Sequence, residues 1–179
     1  MRLDVHTHIF HPKVAARVLA QLTSHYDIDP VGSGIADDLL ARLDTAGLDA
    51  AVVHTAATEP AQVIPANNWA LELLPHPRLI PFGTMHPDYP DAEAELNRLE
   101  LAGIRGLKFH PDFQDFALNE PRFFRLMEMI GARFMLMIHV GDACPASQCK
   151  SSPDKLAQVR AAFPAPTIIA AHMGGWKHW

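Results

Sequence analysis

The chain has only two cysteines, Cys144 and Cys149, among its 179 residues. Two thiols cannot staple a small fold, and free thiols fit a reducing, cytoplasmic compartment. Runs of Lys or Arg are missing and the formal net charge is −5. That disfavours a nucleic-acid partner, which demands clustered basic residues against phosphates. No apolar stretch approaches the roughly 20 residues of a membrane span. The first residues hold no charged segment followed by an apolar one, so no secretory leader is expected. No linker or low-complexity stretch marks a second domain. A single domain over residues 1–179 is expected, with residues 11–34 as an insertion after the first strand. A glycine-rich nucleotide fingerprint after that strand is also missing.

What is present is histidine, eleven in all, in a chain that is 49% hydrophobic and 20% charged. The first strand-like run reads Leu3-Asp4-Val5-His6-Thr7-His8. Residues two apart in a strand share a face, so His6 and His8 project side by side, with Asp4 expected on the same face. Two neighbouring neutral imidazoles form a chelate for a divalent metal. Three later apolar runs also end on histidine: Lys108-Phe109-His110, Ile138-His139-Val140-Gly141 and Ala171-His172-Met173-Gly174-Gly175.

Apolar β-branched runs alternate with helical patterns. Strands are predicted at Arg2–His8, Ala50–Thr55, Leu79–Met85, Ile104–Phe109, Phe134–Val140 and Thr167–His172. Helices are predicted at about Val14–Thr23, Ala36–Thr45, Gln62–Leu74, Asp91–Leu101, Pro121–Ile130 and Pro153–Phe163. Proline or a capping residue opens most of them, and Gly47, Gly103 and Gly131 stop three. About six β/α units imply a parallel sheet. Chemically capable residues gather at the C-terminal strand ends, where barrel enzymes place their sites, so a (β/α)8 TIM-barrel type is favoured over an open doubly wound sheet.

The segments Asp4-Val5-His6-Thr7-His8, Gly106-Leu107-Lys108-Phe109-His110-Pro111, Ile138-His139-Val140-Gly141 and Ala171-His172-Met173-Gly174-Gly175 together resemble the amidohydrolase superfamily. The closest branch is the amidohydrolase-related group that includes aminocarboxymuconate-semialdehyde decarboxylase. The resemblance implies a distorted TIM barrel with a metal at its mouth. It implies His6, His8 and His139 as metal ligands and His172 as the acid/base or electrophilic residue near the metal-bound water. Lys108 would bridge two metals as a carbamate or face a substrate carboxylate, with His110 in substrate binding or support. Asp142 would orient a ligand histidine.

The family also takes an aspartate from the end of its eighth strand, and a full barrel needs roughly 250 residues. The chain therefore reads as truncated after about six units. Its unpaired edges would call for a second copy, as a homodimer or larger homo-oligomer.

The expected cofactor is a divalent metal, Zn first, with Mn, Fe or Co as alternatives. The expected function is hydrolysis of an amide, lactone or ester carbonyl of a small molecule by a metal-activated water. The alternatives are decarboxylation of an unsaturated or aromatic carboxylate, and an inactive fragment that binds metal weakly. A metal-dependent DNA phosphodiesterase is disfavoured by the acidic balance. Among the remaining residues, His54 and His86 fall near strand ends without matching a motif. His11, His25, His76 and His178 are read as solvated loop residues. Cys144 and Cys149 give a weak zinc spacing. Phe113 and Phe116 either line a pocket or cap the core, and Trp176 and Trp179 either lie at the same mouth or pack a helix after the sixth strand.

Overall fold

The computed structural model describes residues 1–145 and 147–178. The strands are β1 (Leu3–His8), β2 (Ala50–His54), β3 (Leu79–Pro81), β4 (Gly83–Thr84), β5 (Gly106–Phe109), β6 (Met135–Ile138) and β7 (Ile168–Ala170). The helices are α1 (Pro12–Tyr26), α2 (Ala36–Ala46), α3 (Val63–Leu73), α4 (Ala92–Ala102), α5 (Pro121–Ile130) and α6 (Pro153–Ala162). All paired strands are parallel, in the order β1-β2-β3 and β4-β5-β6-β7. β3 and β4 are one extended stretch interrupted at Phe82, whose N–H donates to the Val53 carbonyl at 2.9 Å. The chain leaves its pairing with β2 there and takes up pairing with β5. Sequential parallel strands joined by helices form part of a (β/α) barrel, as the alternation predicts.

Helix ends follow local chemistry. Prolines occupy the first turns of α1, α5 and α6, where a missing N–H costs nothing. Gly47 and Gly103 close α2 and α4 in the left-handed conformation that lacks a penalty only for glycine. The insertion after β1 is more helical than its sequence pattern implies, since α1 runs from Pro12 to Tyr26.

The alternation of strand side chains sorts the sheet into two faces. Outward residues Leu107, Phe109, Leu136 and Ile138 pack with Leu96, Leu99, Phe123 and Ile130 of the covering helices. Ala51, Val53 and Leu79 meet Leu43 of α2. On the inner face Val52, Phe82, Met137 and Ala171 make the apolar floor of the barrel interior. A Cβ at Gly106 would lie 2.3 Å from the Phe82 ring, so only glycine leaves room for that floor.

The register of β1 against β2 contains one extra residue. Leu3 pairs with Ala50 and Asp4 with Ala51, but Thr7 pairs with Val53 and His8 with His54. This β-bulge reverses the alternation part-way along the strand. It turns His6 and His8 inward above Leu3 and sends Asp4 away from them. The expectation that Asp4 shares their face is therefore corrected: Asp4 Oδ1 accepts the backbone N–H of His6 at 3.0 Å instead.

Candidate metal centre

The inner face carries, above its apolar floor, the C-terminal ends of the strands. His6 and His8 come from β1, His54 from β2, Lys108 from β5, His110 from just past β5, His139 from just past β6 and His172 from the 3-10 turn after β7. His6, His8, Lys108, His110, His139 and His172 all border one cavity of about 1080 Å³. Its far wall is the inner side of α1, including Val14, Val18 and Leu22.

The Nε2 atoms of His6 and His8 lie 3.2 Å apart. Two nitrogens bound tetrahedrally to one zinc, at about 2.0–2.1 Å each, stand about 3.3 Å apart. His8 Nδ1 lies 3.1 Å from the His54 carbonyl, an acceptor only, so the proton sits on Nδ1 and the Nε2 lone pair is free. The His172 ring bridges the two sides of the pocket, its centroid 5.0 Å from that of His6 and 4.6 Å from that of His139. His172 Nε2 meets His139 Nδ1 at 3.0 Å. His139 Nε2 is buried with no hydrogen-bond partner. An orphaned buried imidazole nitrogen is costly unless something binds it.

Beside the histidines the charged group is Lys108, which is 1% exposed, while Lys13, Arg17 and Glu72 also line the cavity. Its Nζ stands 3.5 Å from His6 Nε2. Burial holds its ammonium down to about 7. Burial and then the Lys108 charge push His6 and His139 to about 2. The same causes bring His8 to about 3, because protein atoms crowd its ring although it borders the open cavity. His172 is lowered for the same two reasons. At neutral pH these imidazoles are uncharged donors, the form a metal requires.

Among the described residues, two sets of three donors lie within 4.8 Å of one another: His110–Asp112–His139 and Cys144–Cys149–His178. His6, His8 and His139 are not such a set, although they share the cavity. The first set is nevertheless poorly directed. His110 and His139 stack nearly parallel, centroids 3.7 Å apart at 16°, whereas imidazole lone pairs lie in the ring plane. His110 is also engaged on both nitrogens, by Tyr26 Oη at 2.9 Å and the Phe113 N–H at 3.4 Å. Asp112 accepts from Lys150 N at 3.0 Å and from Ser151 Oγ. The donor chemistry of His6, His8 and His139, each with a ring nitrogen turned into the cavity or left unpartnered, fits a divalent metal better.

Several residues fall elsewhere than the sequence implies. Asp142 is buried, but its Oδ1 receives His25 Nε2 at 3.2 Å and the Ala143 N–H, so its side chain braces α1 rather than a ligand histidine. His25 is solvent-exposed as expected but lies in α1 rather than in a loop, because the helix runs on to Tyr26. His11 caps α1 by accepting from Lys13 N, and it borders the cavity. His86 is saturated by Gln114 O and Asp88 N and stays out of the cavity lining. Phe113 stacks on His110 in the cavity wall, whereas Phe116 is fully buried against Phe109 and Phe123. Trp176 borders the cavity; Trp179 lies outside the described residues, as does Ala146 of the loop after β6.

Three contributors carry no motif. Gln114 donates to Ala57 O and Met85 O and accepts from His110 N, all at 2.8 Å, pinning three strand-end loops together. Tyr26 reaches His110 from the insertion. His54 is buried with both ring nitrogens unpartnered, 5.2 Å from His6 and 5.3 Å from His8 between centroids. Only the position of His54 at a strand end gave a signal.

The family model Amidohydro_2, described as Amidohydrolase, matches residues 3–179. No curated protein matches the chain.

Proposed function

The chain belongs to the amidohydrolase family, and from that premise we propose that it hydrolyses an amide, lactone or ester bond of a small molecule with a divalent metal, Zn first. His6, His8 and His139 would hold the ion. A bound divalent ion would supply a water whose pKa falls toward about 7 and a charge that polarises a carbonyl. The protein's own residues supply the rest. His172 is half-buried at the cavity, next to His139 and His6, and would give or take the proton at the reacting oxygen or nitrogen. Lys108 would fix an anionic group of the substrate, because its ammonium is the cation set into that part of the cavity wall. The apolar side of α1 would take the body of the substrate.

The observation that carries this reading is the convergence of His6, His8, His139 and His172, from three separate strand ends, on one cavity as neutral donors. Lys108 supports a second reading. A carboxylate held against a buried amine between apolar walls is poorly hydrated, which favours loss of CO2. The test uses metal-stripped and zinc-reloaded protein on a panel of amides, lactones, esters and unsaturated carboxylates. Turnover that returns with metal and releases acid plus amine or alcohol supports hydrolysis. CO2 as the product supports decarboxylation, and no turnover of any substrate by loaded protein contradicts both.

A further inference from the structure

A second cluster of metal donors lies outside the cavity lining. Cys144 and Cys149 sit in the loop that follows β6. His178 follows the turn after β7. Their sulfurs and a ring nitrogen come within 4.8 Å of one another. Cysteines five apart meet because Gln148 and Cys149 both donate to Pro145 O, at 2.8 and 3.0 Å, which folds the loop back on itself. Cys149 is fully buried; its Sγ lies 3.6 Å from Ser151 Oγ and 3.9 Å from Asp112 Oδ1, and Lys155 Nζ donates to its backbone carbonyl at 2.7 Å. His178 Nε2 lies 3.0 Å from the Asp142 carbonyl. A carbonyl only accepts, so Nε2 carries the proton and the Nδ1 lone pair is free, the arrangement found in metal-binding histidines.

The two segments are already in contact. Trp176 N donates to Val140 O at 3.1 Å, and a Cβ at Gly141 would lie 2.2 Å from Trp176 O. A cross-link here would fasten the loop that leaves His139 to the segment that leaves His172.

We propose that Cys144, Cys149 and His178 form an auxiliary Zn2+ site that ties these two segments together. Two thiolates and an imidazole are the donor set that selects zinc over magnesium, calcium or manganese. Water completes the tetrahedron. On binding, each thiol gives up its proton, so one Zn2+ enters and two H+ leave. Because both thiols must lose their protons to bind, apparent affinity rises with pH. The site is independent of the histidine centre, which contains no sulfur.

The test is titration of metal-stripped, reduced protein with Co2+ under anaerobic conditions. Thiolate ligation gives an intense near-ultraviolet charge-transfer band that imidazole and carboxylate ligands do not give. The band is expected in the unaltered chain, at most half as intense and at least tenfold weaker in apparent affinity in Cys144→Ser, and at least tenfold weaker in apparent affinity in His178→Ala. Both altered positions are only partly buried, which spares the fold, and the far-ultraviolet circular dichroism of each variant should match that of the unaltered chain. No band at saturating Co2+, or a band undiminished in intensity and affinity in Cys144→Ser, overturns the site. A mass two hydrogens light that persists after treatment with reductant, marking a reduction-resistant Cys144–Cys149 disulfide, overturns it as well.

Discussion

His8 is locked to the neighbouring strand: its Nδ1 donates to the backbone carbonyl of His54 across 3.1 Å. The bond fixes both tautomer and ring direction, and it leaves His8 Nε2 facing His6 Nε2 at 3.2 Å. The chelate is thus built before any ion arrives, and the β-bulge between Asp4 and Thr7 is what turns it inward.

His6→Ala, His8→Ala or His139→Ala is expected to lower metal occupancy at least tenfold, as loss of one ligand in three should. Asp112→Asn is expected to leave occupancy within about twofold, because its oxygens already serve Lys150 N and Ser151 Oγ. Elemental analysis of the variants made in a Cys144→Ser background, which removes the contribution of the auxiliary thiolate site, checks both. Loss of metal in Asp112→Asn together with retention in His6→Ala would move the ion to the His110–Asp112–His139 group.

His172→Ala should retain the metal and lose roughly 10²–10⁴ in turnover, the usual range for a positioned proton-transfer group. Metal content and kcat measured on one preparation separate this role from a ligand role. Activity within a few-fold of the unaltered chain would remove His172 from the chemistry.

Lys108 predicts a pH dependence of stability. Its unfolded value is 10.5 and its folded value about 7. Between those values the unfolded chain holds a proton that the folded chain lacks, so unfolding is disfavoured as pH rises. The slope is about 1.4 kcal/mol per pH unit from this one group. Below pH 7 both states are charged and the burial cost is fully present. Lys108→Met should therefore stabilise the metal-free protein near pH 7 and remove that slope, as read from denaturant unfolding at several pH values.

Gly141→Ala should cost about 2–4 kcal/mol. Its φ of +83° disfavours any side chain, and the added Cβ would overlap Trp176 O. Chemical denaturation measures the loss. A change below about 0.5 kcal/mol would mean that the segment after β7 does not dock where the structure puts it.

Much of the fold is legible in the sequence because strand ends and helix caps obey local rules. Pro121–Ile130 is read to the residue, since proline opens it and Gly131 ends it. The interruption of the third strand at Phe82 is not legible, because it depends on which neighbour each half pairs with. The inward turn of His6 and His8 is anticipated, but by simple alternation. The actual cause is a bulge, which depends on the register with β2 and therefore puts Asp4 on the other face. His110, His139 and His172 are visible as histidines ending apolar runs. Gln114 and Tyr26 are not, since a lone glutamine in a loop and a tyrosine ending an inserted helix acquire partners only when distant segments meet. His178 joins the two cysteines by the same kind of long-range closure.

The most direct measurement is anomalous scattering at the zinc absorption edge from crystals of zinc-loaded protein. One peak is predicted within bonding distance, about 2.0–2.1 Å, of ring nitrogens of His6, His8 and His139. A peak on His110 and Asp112 instead, or none in the cavity, would contradict the placement of the metal.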